Sequence, residues 1–227
     1  MDIRYLIGDV LLHHSSLQEI INRRFRSATQ FILDKDDYRM IVNKKGIKFY
    51  TSGNLETLKD VKEDYHTDDI KTTDIVFDLG ANIGGFTLLA SKVAKTVVSV
   101  EPVMLKELLL NICLNNVDNI SYYKNAISNE KEVEIHWNGA HMVRGMSFSN
   151  LLKIEGPCDF LKCDIEGGEW TIDPNDLSNI RAIEMEMHNF SRNKKDFKRL
   201  INILSKTHKI EITKMPHGFG ILHARKL

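Results

Sequence analysis

Residues 74–90 read Asp74-Ile75-Val76-Phe77-Asp78-Leu79-Gly80-Ala81-Asn82-Ile83-Gly84-Gly85-Phe86-Thr87-Leu88-Leu89-Ala90. The run from Ile75 to Leu79 is too short for a helix and is rich in strand-forming residues. Apolar residues then recur at helical spacing, and glycines with one asparagine separate the two parts. A strand, a sharp turn and a helix in this order predict the first unit of a doubly wound α/β sheet, with a ligand at the turn.

The spacing of the turn residues indicates which ligand the turn would bind. A dinucleotide-binding turn carries G-x-G-x-x-G. This turn instead reads Asp78-x-Gly80-x-Asn82-x-Gly84, with an acid before the first glycine. The glycines permit a tight turn and close approach of a ligand. A carboxylate aimed at the crevice disfavours a pyrophosphate and suits a cofactor that carries an ammonium and a sulfonium.

A second strand end supports this interpretation. The run Val97-Val98-Ser99-Val100-Glu101-Pro102 places an acid about 22 residues after Asp78, close to the usual spacing of a ribose-binding acid. Glu101 is therefore predicted to hold two ribose hydroxyls. Acids at two adjacent strand ends together indicate a site for S-adenosylmethionine (AdoMet). Asn125, which follows a third predicted strand, is positioned to bond the adenine edge.

Two further strand ends supply candidate catalytic groups. A fourth predicted strand, Cys158 to Cys163, runs into Asp164-Ile165-Glu166-Gly167-Gly168-Glu169, and a fifth ends at His188. Groups just past the carboxyl ends of parallel strands line the crevice of such a sheet. Asp164, Glu166 and His188 are therefore predicted to face the transferred methyl group and its acceptor, with Asp164 also against the cofactor.

The sequence leaves open which of these three groups takes a proton from the acceptor. A histidine titrates near neutrality without help. A carboxylate among other acids can have its pKa raised by like charge. Two acids and a histidine are also a possible donor set for a divalent cation. Their spacing matches no known metal motif, so the sequence assigns no metal ion.

Composition restricts the partners and the compartment. The chain has 227 residues and a formal net charge of zero, so no global field attracts nucleic acid. Its 3 cysteines form no disulfide framework and predict reduced thiols in a cytoplasmic protein. The sequence has no run of about 18 apolar residues, so it predicts no membrane span. The start, Met1-Asp2-Ile3-Arg4, lacks the features of a signal peptide.

Residues 1–70 are predicted to form an α+β extension to the sheet domain of residues 71–227. An apolar stripe from Leu17 to Ile32 predicts a helix, and a short helix is predicted from Asn54. The runs 38–42 and 47–50 predict a β-hairpin that turns at Gly46. This extension would cover the mouth of the active site or form a contact in a homo-oligomer.

A second insertion precedes the fourth strand of the sheet. The runs Glu132–Trp137 and Met142–Phe148 are predicted to be extended pieces around a turn at Gly139. Because they enter near the cofactor end of the sheet, they are a place where acceptor specificity would be built.

Four motifs together resemble the FkbM family of AdoMet-dependent methyltransferases, over roughly residues 73–190. They are Phe77-Asp78-Leu79-Gly80-Ala81-Asn82-Ile83-Gly84, Val100-Glu101-Pro102, Leu161-Lys162-Cys163-Asp164-Ile165-Glu166-Gly167-Gly168-Glu169 and Glu186-Met187-His188. The resemblance implies a seven-stranded, Rossmann-like class I methyltransferase sheet, AdoMet as donor, and a hydroxyl on a small molecule or sugar as acceptor. It also implies that Asp78, Gly80, Asn82 and Gly84 hold the methionine part of AdoMet, and Glu101 its ribose.

Three alternatives compete with this interpretation. An RNA methyltransferase that modifies a base usually carries Asn/Asp-Pro-Pro-Tyr/Phe after the fourth strand, where this chain has Asp164-Ile165-Glu166-Gly167. Nucleic acid is therefore disfavoured, although Arg23-Arg24-Phe25-Arg26 would make a local basic patch. A non-catalytic AdoMet-binding module would share the cofactor site. A nicotinamide oxidoreductase is disfavoured by the spacing of the turn.

Overall fold

The computed structural model describes residues 39–42, 47–51, 65–137, 139–214 and 219–227. The strands within these residues are β1 (Arg39–Val42), β2 (Lys48–Thr51), β3 (Ile75–Leu79), β4 (Thr96–Val100), β5 (Ile120–Tyr123), β6 (Ala126–Ile127), β7 (Glu132–His136), β8 (Ala140–Met146), β9 (Phe160–Cys163), β10 (Ala182–Met187), β11 (His208–Lys214) and β12 (Gly220–Lys226). The α-helices are α1 (Gly85–Ser91), α2 (Leu105–Asn115), α3 (Phe148–Glu155), α4 (Pro174–Leu177) and α5 (Lys194–Leu204).

The main sheet has 7 strands in the order β5-β4-β3-β9-β10-β12-β11. The pairs among β5, β4, β3, β9 and β10 are parallel, and β12 is antiparallel to both of its neighbours. The prediction of a doubly wound, mostly parallel seven-stranded sheet is confirmed. The last two strands, β11 and β12, do not simply extend the sheet edge in chain order. The crossover through α5 places β11 at the edge and leaves a gap beside β10, which β12 fills.

A row of polar side chains crosses the interior of this sheet at one register. Asp78 on β3 is paired with Lys162 on β9, Lys162 with Glu184 on β10, and Glu184 with His223 on β12. Residues directly opposite one another share a face of the sheet. The two buried carboxylates of this row each have a partner, since Asp78 pairs with Lys162 and Glu184 with His223 and Arg225.

Strands β1 and β2 pair antiparallel, as the hairpin prediction requires, and β2 packs on the sheet domain, while the predicted turn at Gly46 lies outside the described residues. Ile47 and Phe49 are fully buried in the same apolar cluster as residues of α2. The side chain of Asn111 on α2 accepts from the backbone N–H of Tyr50 at 2.6 Å and donates to the carbonyl of Ile83 at 2.8 Å. Strand β2 is thus bound to α2 both by apolar burial and by hydrogen bonds between α2 side chains and its backbone. The predicted helices over 17–32 and from Asn54 lie outside the described residues.

Replacing Asn111 by alanine is expected to lower the free energy of unfolding by about 2–3 kcal/mol, because buried backbone groups lose their partners. Asn115→Ala is the matched control. Asn115 makes equivalent bonds to the backbone of Lys48, but these are exposed, so water replaces them. Urea denaturation of both variants measures the difference. Equal losses would contradict the view that Asn111 is the buried anchor of β2.

The insertion before β9 forms a small sheet in the order β6-β8-β7. The antiparallel pairing of β7 with β8 confirms the predicted extended pieces on either side of Gly139. Phe148 was expected to end the second piece, but it begins helix α3. Ser147 caps that helix by accepting from the backbone N–H of Asn150 at 3.3 Å. Burial of Phe148 and Leu151 against the main sheet favours the helix over a longer strand.

Two further properties bear on sequence-based expectations. The cysteines are free, with Cys158 and Cys163 buried and Cys113 partly buried. Burial raises the pKa of the Cys158 and Cys163 thiols well above the usual value, so both are inert packing groups. Among the described residues, no helix has the length and apolar character needed to cross a bilayer.

Candidate functional site

A cavity of about 640 Å³ lies beyond the carboxyl ends of β3, β4 and β9. Its volume is within the range of about 300–1,000 Å³ that is typical of ligand sites. The predicted site residues that line it are Gly80, Asn82, Glu101, Asn125, Asp164 and Glu166. Strand β7, through Val133 and Ile135, and Trp137 just after it form another wall, so the insertion reaches the cavity as expected. Asp78, Gly84 and His188 do not line it.

The placement of Asp78 corrects the expectation that its carboxylate faces the crevice. The side chain is fully buried on the face of β3 that contacts α1. One carboxylate oxygen accepts from the Thr87 hydroxyl at 2.5 Å, and the other lies 3.3 Å from Nζ of Lys162. Asp78 therefore holds the strand, the helix and Lys162 together beneath the cavity, and any effect on a cofactor is indirect.

The two glycines of the turn have different roles. A Cβ at Gly80 would lie 1.7 Å from the carbonyl oxygen of Asp164, so this glycine lets the turns after β3 and β9 touch. A Cβ at Gly84 would lie 2.8 Å from Cδ1 of Leu108, so Gly84 permits close packing of α1 against α2. Gly84 does not line the cavity, so its contact with a cofactor stays a prediction.

Glu101 and Asn82 form one side of the cavity. Glu101 accepts from the backbone N–H groups of Asn82, Val103 and Met104 at 2.7–2.8 Å. Burial raises the pKa of Glu101, and these three hydrogen bonds partly offset that effect. Oδ1 of Asn82 is buried and has no hydrogen-bond partner within the described residues. A bound ligand that donates a hydrogen bond would satisfy it.

Asn125 also lines the cavity, as predicted, at the end of β5. Its side-chain amide donates to the carbonyl of Arg144 on β8 at 3.3 Å. This bond joins the main sheet to the insertion and leaves the side-chain oxygen as a possible acceptor. Asn125 is therefore placed where the main sheet meets the β7–β8 insertion at the cavity.

The turn after β9 and the end of β10 bring carboxylates around one histidine. Nε2 of His188 lies 3.2 Å from Glu166 Oε2, 3.7 Å from Glu186 Oε1 and 3.8 Å from Asp164 Oδ1. Nδ1 lies 3.4 Å from Oε1 of Glu169, whose carboxylate is fully buried. We call these five residues the His188 cluster. The three predicted catalytic groups are thus brought together.

The charges of the His188 cluster shift the pKa of three of its members. Burial acts to lower the pKa of His188, but the hydrogen bonds and charges of Glu166 and Glu169 outweigh it and raise the pKa to about 10. The raised pKa favours the protonated imidazole at neutral pH. The hydrogen bond to His188 lowers the pKa of Glu166. Burial, followed by the charge of Asp164, raises the pKa of Glu186.

Sequence reasoning missed two contributors to this site. The Tyr65 hydroxyl, in a segment assigned to the extension, donates to Asp164 at 3.3 Å and to Glu186 at 3.4 Å. Burial, followed by these carboxylates, raises the pKa of Tyr65, so it remains a donor. Lys162 donates to the carbonyl of Gly80 at 2.7 Å. A lysine within the apolar strand β9 was the available signal, whereas no local pattern marks Tyr65.

The chain is similar in fold to solved methyltransferases. Ribosomal protein L11 methylase from Lactobacillus delbrueckii subsp. bulgaricus has a TM-score of 0.55 and 16% identity, over 85% of this chain and 92% of that one. M. jannaschii TYW2, in complex with AdoMet, has a TM-score of 0.50 and 15% identity over 85% and 88%. The fold is that of the class I methyltransferases. No protein-family model and no curated protein matches the chain.

A third class I methyltransferase is longer than this chain. Trm5b from Pyrococcus abyssi has a TM-score of 0.50 and 15% identity, over 84% of this chain and 55% of Trm5b. The chain therefore spans about half of the length of that relative. At such identities the similarity concerns the fold, and the activity depends on the residues of the site.

The cavity of this class I methyltransferase fold suits AdoMet. The methionine part carries an ammonium that can donate to the buried, unpaired Oδ1 of Asn82. The ribose carries hydroxyls that can donate to the remaining lone pairs of the Glu101 carboxylate. The two groups lie side by side, since Glu101 accepts from the backbone of Asn82.

Proposed function

We propose that the chain is an AdoMet-dependent methyltransferase that methylates a hydroxyl of a small molecule or sugar. The observation that carries the proposal is the cavity that joins Asn82 and Glu101 to Asp164 across adjacent strand ends. One side of this cavity suits the cofactor. The other side presents a carboxylate to an acceptor.

Each residue has a distinct part in this proposal. Asn82 would bind the ammonium, Glu101 the ribose and Asn125 the adenine edge. Bound AdoMet would supply the methyl group from its sulfonium. The rest of the cofactor would then leave as S-adenosylhomocysteine. Gly80 and Lys162 keep the turn in place, since the lysine bonds the carbonyl of that glycine. The chain therefore contributes mainly positioning, which is the larger part of catalysis in such a transfer.

An oxygen acceptor also requires that a proton be removed. The acceptor O–H bond breaks as the O–CH₃ bond forms, and the proton passes to a carboxylate. We assign this role to Asp164, because it lines the cavity and is only partly buried. General-base help of this kind typically contributes about 10²–10⁴-fold in rate. Tyr65 and Lys162 orient this carboxylate from its other side.

The charge of the site favours a small acceptor over RNA. Four carboxylates surround His188, and they would repel the phosphates of a nucleic acid. The arrangement also supports an FkbM-like assignment. The most specific motif of the FkbM resemblance contains three acids. All three lie close to His188, and they are Asp164, Glu166 and Glu169. A cytoplasmic location remains a prediction from the free cysteines.

The proposal is tested by thermal unfolding with S-adenosylhomocysteine, with NADH as the control ligand. A ligand at about 100 times its Kd adds about 2.7 kcal/mol, a shift of roughly 5–10 °C for a chain of this size. Glu101→Gln is expected to abolish the shift, because the amide replaces an acceptor of backbone and ribose donors. Glu130→Gln, on the exposed surface away from the cavity, is the matched control.

Three outcomes separate the alternatives. A shift that survives Glu101→Gln would contradict the assigned cofactor site, and a shift with NADH alone would favour an oxidoreductase. A shift without any methyl transfer to hydroxyl acceptors would favour a binding module. Transfer of labelled methyl groups to tRNA, instead of to small hydroxyl compounds, would make the RNA methyltransferase the better assignment.

A further inference from the structure

We propose that Asp164, Glu186 and His188 form a binding site for a divalent first-row transition metal ion. One ligand atom from each residue lies within 4.8 Å of the other two. The three residues come from neighbouring strand ends, so the backbone of the sheet holds their positions. The proposal replaces the sequence-based expectation that this site takes no metal.

The distances suit a shared ion. Nε2 of His188 lies 3.8 Å from Oδ1 of Asp164 and 3.7 Å from Oε1 of Glu186. Metal–ligand bonds to such atoms are about 2.0–2.2 Å long, so two ligands of one ion are at most about 4.4 Å apart. Both measured separations fall inside this limit. Glu166, with an exposed side chain 3.2 Å from the same nitrogen, is close enough to add a fourth ligand.

The histidine is oriented as a metal ligand would be. Oε1 of Glu169 lies 3.4 Å from Nδ1 of His188 and accepts from its backbone N–H at 2.5 Å. Nδ1 makes no hydrogen bond within the described residues, so Glu169 holds His188 through its backbone N–H. The buried ring directs Nε2, the nitrogen that an ion would bind, toward Asp164, Glu166 and Glu186.

The charge balance of the His188 cluster points in the same direction. The cluster holds four carboxylates, and the nearest lysine, Lys162, is closer to Asp78 than to Asp164, at 3.3 and 3.8 Å. An imidazolium supplies only one positive charge. A divalent cation bound to neutral His188 supplies two. Mixed carboxylate and imidazole donors suit ions such as Mn²⁺ or Zn²⁺ better than Mg²⁺ or Ca²⁺.

A second cluster of similar composition shows what distinguishes this site. His66, Glu184 and His223 also lie within 4.8 Å of one another. There the guanidinium of Arg225 bonds both Glu184 and Asp69. The acid therefore already has a permanent cation, and a metal ion would have to displace it. No arginine bonds the His188 cluster within the described residues, so a metal ion is expected there and not at His223.

The open side of the ion would face the acceptor, and this part rests on the proposed function. Asp164 lines the cavity, whereas Glu186 and His188 lie behind it. The free coordination positions would therefore point into the cavity and take oxygen donors. A hydroxyl with a second oxygen beside it, as in a sugar diol, would bind through both atoms. The ion would also lower the pKa of the bound hydroxyl, and in that state Asp164 would act as a ligand while the hydroxyl proton passes to solvent water.

The test is calorimetric titration of chelator-treated, desalted protein with MnCl₂ and, separately, ZnCl₂. One ion per chain is expected. Glu186→Gln is expected to weaken binding by about 10-fold or more. His223→Gln, which alters the other cluster, should leave binding unchanged. Pulsed electron paramagnetic resonance of the Mn²⁺ complex should show coupling to a directly bonded nitrogen, lost in His188→Gln.

The spectroscopic readout on the unaltered chain keeps the proposal testable even if a variant fails to fold. It is overturned if neither ion binds, or if binding persists in folded His188→Gln. Failure of the proposed function is a separate result, because it appears as the absence of a thermal shift with S-adenosylhomocysteine. Metal binding without that shift would support the metal site but contradict its proposed role in methyl transfer.

Discussion

Replacing Lys162 by methionine is expected to lower the free energy of unfolding by about 3–5 kcal/mol, because the change leaves a buried carboxylate without its cation. The side chain of Lys162 is 6% exposed and that of Asp78 is fully buried, with 3.3 Å between Nζ and Oδ1. Burial acts to lower the pKa of Lys162, but Asp78 and Asp164 outweigh it and raise the pKa. The ammonium is therefore charged throughout the neutral range and also supports the carbonyl of Gly80.

A double-mutant cycle with Asp78→Asn measures this interaction in urea. The loss in the double variant should be smaller than the sum of the single losses by about 0.5–3 kcal/mol, because removing both charges leaves neither unpaired. Lys209→Met is the matched control. Its pair with Glu211 is exposed, so a much smaller change is expected. Additive losses would show that the two buried groups act independently.

Replacing Gly80 by alanine is expected to cost about 3–5 kcal/mol and to abolish binding of S-adenosylhomocysteine. Gly80 has a φ of +77°, and its Cβ would lie 1.7 Å from the carbonyl oxygen of Asp164. Neither turn can move away easily. The N–H of Gly80 donates to Val100 at 2.9 Å, and that of Asp164 donates to Leu79 at 3.0 Å.

Gly156→Ala separates crowding from backbone strain. Gly156 has a φ of +88°, and a Cβ there would meet nothing within 4 Å. Its ψ of −165° places it in a backbone region that side-chain-bearing residues rarely adopt, so replacement should cost about 1–3 kcal/mol from backbone strain alone. Thermal unfolding with and without S-adenosylhomocysteine compares the two variants. A similar loss in both would mean that the turns after β3 and β9 do not touch.

The sequence by itself determined the sheet and the rim of its cavity. Short apolar runs, glycine turns and helical spacing are local signals, and they placed the strands and helices of the main sheet domain correctly apart from Phe148, which begins a helix. Residues just past strand ends meet at one edge of a parallel sheet whatever the details of packing. For that reason the sequence was enough to predict six residues of the cavity, which are Gly80, Asn82, Glu101, Asn125, Asp164 and Glu166.

Only the tertiary structure decided which way the remaining side chains point and what they meet. Asp78 lies in the same turn motif, yet it faces Thr87 and Lys162 because side chains alternate along a strand and its neighbour is a helix. Tyr65 reaches Asp164 across 99 positions of sequence, which no local pattern encodes. The protonation of His188 likewise depends on carboxylates from two separate turns or strands. Such contacts arise from packing over long sequence separations, so they follow from the fold and not from the motif.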